Sequence, residues 1–373
     1  MVDLKSQYQR LKSELDAAIQ DVLDSGIFIK GSIVSDFENN LSQYIGGAAV
    51  ISCANGTDAL QIAMMALDLK PGDEVILPAF TYAATAEVIA LLGLVPVLVD
   101  VDKHTFNINV SLIEKSISSK TKAIVPVHLF GQCADMESIL KIASKNNLFV
   151  IEDAAQSIGS VYTFSDGTKK MAGTMGDIGT TSFFPSKNLG CFGDGGAVFT
   201  NNPVIAEKLR MIANHGQKIQ YKHDIIGVNS RLDAIQAAVL NVKLKYLNAF
   251  EIARKNVADF YDSKLSLDAR FTIPVRSHFS SHVFHQYTMI LNGIERDQFR
   301  NYLKSIGIPS MVYYPTPIHH QEAFKSVSKI GSDLSISERL SKEVISLPIH
   351  TEMDKDQIDF IIEAVLNYDG INY

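Results

Sequence analysis

An α/β fold is predicted: a mostly parallel central sheet sandwiched by helices, with a smaller α+β part at the C-terminal end. Three observations predict it. From about residue 50 short apolar runs alternate with helical stretches. The runs are apolar nearly throughout, as strands covered on both faces must be. At 373 residues the chain is long enough for one large domain and a smaller one.

Taken in order, Leu4, Tyr8, Leu11, Leu15, Ile19 and Val22 recur at helical spacing, so residues 4–24 read as an amphipathic packing helix ending at Gly26. "AAVISCANG" then reads as strand and turn, and "TDALQIAMMALDL" as a helix. The alternation continues through "DEVILPAF", "TAEVIALLG", "VPVLVDV", "KAIVPVHLF", "SILKIASKNN" and "LFVIEDAA". A long helix over 245–265 leaves this region. Beyond it lie strand-like "HVFHQYTMIL" and "PSMVYYP" and the helical "RDQFRNYLKSIG" and "QIDFIIEAVLNY". The expected division is therefore 1–245 and 246–373.

Composition removes several classes of function. A hydrophobic share of 46% with 20% charged residues is that of an ordinary globular protein. A net charge of −7 without any Lys/Arg run argues against a nucleic-acid surface. Cys53, Cys133 and Cys191 are far apart, so neither a disulfide framework nor a cysteine zinc site is expected, and no metal is assigned. The N-terminus lacks an apolar signal core, and no apolar run reaches the roughly 18 residues of a membrane span. A cytoplasmic location is expected.

In parallel sheets ligands bind beyond the carboxyl ends of the strands, which singles out three clusters. In "SCANGTDAL", Gly56 and Thr57 open a helix whose free amides and dipole suit a phosphate, although most such turns merely cap the helix. In "VIEDAAQS", Asp153 closes an apolar strand with Gln156 three residues on. Such a carboxylate needs a metal, an arginine or a protonated ring nitrogen, unless it caps a following helix. In "SFFPSKNLGCFGDGG", Lys187 and Ser182 sit in an apolar, aromatic frame at what reads as a strand end. Desolvation there would lower the amine's pKa and make it a nucleophile toward a carbonyl. The phosphate-loop, dinucleotide, G-x-S-x-G and H-E-x-x-H patterns are absent.

One cofactor unites the clusters. Pyridoxal 5'-phosphate needs an amine for its aldehyde, an acid for its ring nitrogen and donors for its phosphate. Lys187, Asp153 and the Gly56–Thr57 turn supply them, and Tyr82 could stack on the ring or be a core aromatic.

The order "NGTDAL", "PAFTYAATAE", "EDAAQS", "SFFPSKNLGCFGDGGA" and "NSRLDAIQAA" resembles the DegT-type nucleotide-sugar aminotransferases, from "DLKSQY" to "SLPIH". The resemblance implies the type I aspartate-aminotransferase fold and a homodimer with active sites at the subunit interface. It implies that Lys187 bonds to the cofactor's aldehyde and shuttles the proton, while Asp153 holds the pyridinium nitrogen. Gln156 would meet the ring hydroxyl and Tyr82 would stack. Gly56, Thr57 and Ser182 would bind the phosphate, joined by the partner subunit's Asn229. The cofactor alternates between pyridoxal and pyridoxamine phosphate as an amine passes from glutamate to a keto sugar.

For the sugar, "FFPSKNLGCFGDGG" is similar to the branch acting at C3, and "GVNSRLD" to enzymes of UDP-2-acetamido-2-deoxy-3-keto-glucuronate, a surface-polysaccharide (O-antigen) precursor. Arg231 would meet the uronate carboxylate from the other subunit, or serve structure. Tyr313 and Tyr314 are expected near the sugar, Tyr313 standing where the family has histidine; Lys30 replaces an apolar residue before Gly31. A dTDP-linked 3-keto-6-deoxyhexose is the alternative substrate, and a non-catalytic cofactor-binding regulator the alternative role. The related sugar dehydratases carry histidine where this chain has Lys187.

Overall fold

A computed structural model describes residues 1–370. The elements are α1 (Leu4–Ser25), α2 (Ser32–Tyr44), β1 (Ala49–Cys53), α3 (Gly56–Ala66), β2 (Glu74–Pro78), α4 (Ala84–Leu91), β3 (Val95–Val99), α5 (Val110–Ser116), β4 (Thr121–Ile124), α6 (Met136–Asn146) and β5 (Phe149–Asp153). They continue as β6 (Val161–Thr163), β7 (Lys169–Met171), β8 (Ile178–Ser182), β9 (Gly196–Thr200), α7 (Pro203–Ile212), β10 (Gln217–Ile219), β11 (Lys222–His223), α8 (Ala234–Leu244) and α9 (Leu247–Leu265). The C-terminal part holds β12 (Phe271–Thr272), β13 (Tyr287–Leu291), α10 (Arg296–Ser305), β14 (Lys329–Ile330), α11 (Ser335–Glu343), β15 (Val344–Leu347) and α12 (Lys355–Leu366).

The main sheet runs β1-β9-β8-β5-β4-β2-β3-β14. Its pairs are parallel except that β9 runs antiparallel to β1 and β8. Since β9 alone is reversed, β1, β8, β5 and β2 all end at one rim. All five residues of β2 and of β9 are buried, because helices cover both faces. On one face α3 and α4 contribute Ala59, Ile62, Ala63 and Val88 to a core with Val75, Leu77, Ile151 and Val198. Ile139 and Ala143 of α6 pack with Ile76, Ile124 and Val150 in another cluster. The first helix forms as its spacing predicts. Asp3 caps it by accepting from Ser6 N at 2.9 Å, Gly26 ends it at φ 66°, and Leu11 and Leu15 pack on Val239 and Val242 of α8.

We propose a division at 245/246, between α8 and α9. Supporting it, α9, α10 and α12 pack on the three-stranded sheet β12-β13-β15 around Tyr261, Tyr287, Phe299 and Ile361. Two sequence expectations change in this part. "PSMVYYP" is not a strand; Met311 makes one isolated bridge to Ser346, and the prolines at its ends (Pro309 and Pro315) withhold ladder donors. In "HVFHQYTMIL" the strand begins only at Tyr287. The short β14, unmarked by any apolar run, reaches back to extend the large sheet beside β3.

Candidate active site

At the shared rim, the β1–α3 turn lies against the end of β8. Asn55 caps α3, its Oδ1 accepting from Asp58 N at 2.8 Å, which leaves the amides of Gly56 and Thr57 at the helix start. A Cβ on Gly56 would stand 2.8 Å from Ser182 Cβ, so only glycine lets the turn approach this closely. Two free amides, a helix dipole and the Ser182 hydroxyl converge there, a combination that suits a phosphate.

Asp153 ends β5 and is 6% exposed. Its Oδ2 accepts from Thr85 Oγ1 at 2.8 Å and its Oδ1 from Ala155 N at 3.2 Å. No cation pairs with it among the described residues. The capping alternative fails, because the next element after Asp153 is a strand, β6. Gln156 has both ends of its amide engaged: Oε1 accepts from Phe130 N at 2.8 Å, and Nε2 donates to Tyr314 Oη at 2.9 Å. One N–H of Nε2 remains for a ligand, so the expected ring contact and the Tyr314 bond can coexist.

Lys187 is not at a strand end. β8 stops at Ser182, and Lys187 rides on the loop between β8 and β9. Bonds from Cys191 N to Phe183 O (2.8 Å), Lys243 Nζ to Gly190 O (2.7 Å) and Asn188 Nδ2 to Val283 O (2.9 Å) hold that loop closed. Lys187 Nζ has no hydrogen-bond or ion-pair partner among the described residues. Burial pulls its pKa down to about 8, against the opposing pull of the Asp153 carboxylate. A half-buried amine without a partner, facing an acid without a cation, is poised for a ligand that bridges them.

Gly56, Thr57, Tyr82, Asp153, Gln156, Ser182, Lys187, Tyr313 and Tyr314 line one cavity of about 770 Å³. Tyr82 is 61% exposed, which corrects the core reading; its ring lies 6.1 Å from that of Tyr314 at the mouth. Burial raises the hydroxyl pKa of Tyr314 far above the ordinary tyrosine value, so this side chain stays neutral. Asn229 and Arg231 are not in this cavity. Both are exposed, and Arg231 lines a second cavity of about 550 Å³ with Lys30, whose Nζ donates to Asn214 Oδ1 at 3.2 Å.

Two further polar residues of the cavity escaped the sequence reading. His285 and Gln286 are 5% and 7% exposed and stand just before β13. Burial, with Lys187 and Arg254 nearby, holds the His285 imidazole well below its ordinary pKa, hence neutral. The signal was a His-Gln pair leading into the apolar run "YTMIL".

The donor set matches the needs of pyridoxal 5'-phosphate group by group: a free amine, a buried acid without a cation, and an open helix N-terminus beside a hydroxyl. Comparison with known proteins agrees. The chain is 45% identical over 366 residues, covering 98% of it and 99% of the relative, to the UDP-2-acetamido-2-deoxy-3-oxo-D-glucuronate aminotransferase of Pseudomonas aeruginosa. It is 43% identical over 370 residues, 99% of the chain and 98% of the relative, to the pleiotropic regulatory protein of Geobacillus stearothermophilus. A Brucella abortus DegT DnrJ EryC1 StrS aminotransferase crystal structure superposes with a TM-score of 0.94 at 41% identity, covering 99% of both chains. Bacillus subtilis ntda, solved with bound cofactor PMP, superposes with a TM-score of 0.87 at 33% identity, covering 96% of this chain and 81% of its own. The fold is the type I aspartate-aminotransferase fold. A family model matches residues 9–366, and the chain belongs to the DegT/DnrJ/EryC1/StrS aminotransferase family.

Proposed function

We propose that the protein is a pyridoxal-phosphate aminotransferase that moves an amino group from glutamate to C3 of a nucleotide-linked keto sugar. The sugar in this reading is UDP-2-acetamido-2-deoxy-3-keto-glucuronic acid, made for surface polysaccharide such as O-antigen. The observation that carries it is the unpartnered Lys187 amine sharing a cavity with the cation-free Asp153. The Pseudomonas relative supports the substrate.

When bound, pyridoxal phosphate supplies an electron sink for breaking the amino donor's Cα–H bond. The protein's own residues do the rest. Gly56 N, Thr57 N and the Ser182 hydroxyl would hold the phosphate, and Asp153, kept in place by Thr85, would hold the ring N–H. With its pKa lowered to about 8 by burial, the Lys187 amine is proton-free far more often near neutral pH than an ordinary lysine is. That free amine is the group that would hold the cofactor through its aldehyde. Lys187 Nζ is also the base that would take the donor's α-proton and the acid that would return a proton to C3 of the sugar.

Homodimer formation is part of this reading. Ile27, Phe28, Ile29, Phe184, Tyr221 and Ile226 are large apolar side chains from 46% to 85% exposed, more than a lone chain gains from leaving in water. Asn229 and Arg231 would then serve the site of the opposite subunit, at its phosphate and its uronate carboxylate. The location is cytoplasmic in this reading; no helix among the described residues is long and apolar enough to cross a membrane.

Amination assays with the UDP-3-keto-uronate and with a dTDP-3-keto-6-deoxyhexose separate the two substrates. Turnover of the deoxyhexose alone ends the uronate reading. The Geobacillus relative's name favours a regulator as the second reading. Cofactor binding without amine transfer from glutamate to any 3-keto sugar would support that reading instead.

A further inference from the structure

Away from the cavity, the turn Ile318–His320 and helix α11 bring two imidazoles and a carboxylate together. His319 Nε2 lies 3.1 Å and His320 Nε2 3.3 Å from the same oxygen, Glu338 Oε1. The ring centroids are 4.2 Å apart, and ligand atoms from all three residues fall within 4.8 Å of one another. A tetrahedral zinc ion with bonds of about 2.0–2.1 Å sets its ligand atoms roughly 3.3–3.4 Å apart. The two N···O separations are therefore already close to tetrahedral edges.

Both ligand-bearing elements are fixed to the main sheet. Ile318 N donates to Ala79 O, just past β2, at 3.0 Å, and His320 N closes the turn on Pro317 O at 3.0 Å. Asp100, just past β3, holds the start of α11 by accepting from Ile336 N at 2.9 Å and Ser337 N at 2.8 Å. Such anchoring limits the ordering that binding an ion would otherwise require.

Another close His–Glu pair shows what a purely structural arrangement looks like. His128 Nε2 is 2.8 Å from Glu152 Oε2, and both side chains are fully buried. His128 Nδ1 accepts from Ala134 N at 3.1 Å, so the proton must sit on Nε2, which cannot be a ligand. Glu152 is further saturated by the amides of Gly173, Met175 and Gly176. In the second group no backbone donor locks the tautomer: Nδ1 of His319 has no partner among the described residues, and its Nε2 meets only Glu338 Oε1, so a cation can take the place of the shared proton. Glu338 and His320 are open to water, with side chains 43% and 52% exposed, so an ion can enter and keep a water ligand.

We propose that His319, His320 and Glu338 bind one zinc-type divalent cation, completed by water, which clasps the 318–320 turn to α11. Two imidazoles and a carboxylate are a donor set that suits zinc. The proposal stands independently of the substrate, although the clasped turn begins four residues after Tyr314.

The test is calorimetric titration of the chelator-treated holoenzyme with zinc chloride, with thermal midpoints read alongside. The wild type should take up one equivalent per chain and gain stability. His320→Ala and Glu338→Gln should each weaken that binding at least ~100-fold, the upper end of what losing even an outer-shell partner costs. Their zinc-free midpoint and cofactor absorbance should stay unchanged, which separates ligand loss from misfolding. His104→Ala, an exposed control, should bind as the wild type does. Absence of saturable binding, or wild-type affinity in both ligand variants, would overturn the proposal.

Discussion

Gln156 Nε2 donates to Tyr314 Oη across 2.9 Å and so ties the end of the main sheet to the C-terminal part within the cavity. Because half-buried Tyr314 stays neutral, this bond is made against a phenol rather than a phenolate. Tyr314→Phe should leave Gln156 short of an acceptor and destabilise the protein by about 1–3 kcal/mol, the cost of a buried unsatisfied donor. Urea unfolding of the apoprotein measures it; an unchanged midpoint would mean water replaces the hydroxyl at no cost.

Asp153 is held by Thr85 and is in no ion pair among the described residues. Asp153→Asn keeps the shape but removes the charge that favours a protonated ring nitrogen, so turnover should fall at least ~100-fold, within the range of a proton-transfer group. Thr85→Val should cost less, about tenfold, since one net hydrogen bond to a charged group is worth roughly 1.5 kcal/mol or more. Steady-state kinetics of both variants test the order; equal losses would mean Thr85 does more than orient the carboxylate.

Gly56→Ala would place a Cβ 2.8 Å from Ser182 Cβ, so the start of α3 or the end of β8 must shift. The helix start should then move off the phosphate position. Cofactor affinity should drop at least ~10-fold while far-ultraviolet circular dichroism stays as in the wild type, as for one misplaced charge-assisted contact. Retained affinity would place the phosphate elsewhere.

Lys187 gives the apoprotein a pH signature with a definite sign. Its folded pKa, about 8, is below the ordinary 10.5, so between these values the unfolded chain binds more protons than the folded one. Stability from this group therefore rises with pH from about 8 to 10.5. Lys243, also pulled to about 8 by burial, adds in the same direction. Urea unfolding across this window should show a shallower rise for Lys187→Met than for the wild type. Identical slopes would contradict the lowered amine.

Much of this was legible in the sequence because the strands are buried on both faces and therefore plainly apolar. Their polar closers, Asp153 and Ser182, and the Gly56–Thr57 turn stand at one rim for the same reason. Lys187 was found by its surroundings yet misplaced, since "SFFPS" continues the apolar pattern past the true end of β8. His285 and Gln286 carry no such mark, because they precede their strand in the C-terminal part rather than closing a strand of the large sheet. The His319–Glu338 group leaves no mark in the sequence, because eighteen residues that include β14 lie between those two members. Asn229 and Arg231 came only from family resemblance; within one chain they face a different cavity or solvent.

The most direct measurement is the visible absorbance of purified wild type and Lys187→Ala, before and after glutamate. The wild type should show the band of a cofactor bonded to lysine and lose it as glutamate gives up its amine, whereas the variant should lack that band and fail to turn over keto sugar. A variant that keeps both the band and the activity would contradict the assignment of Lys187.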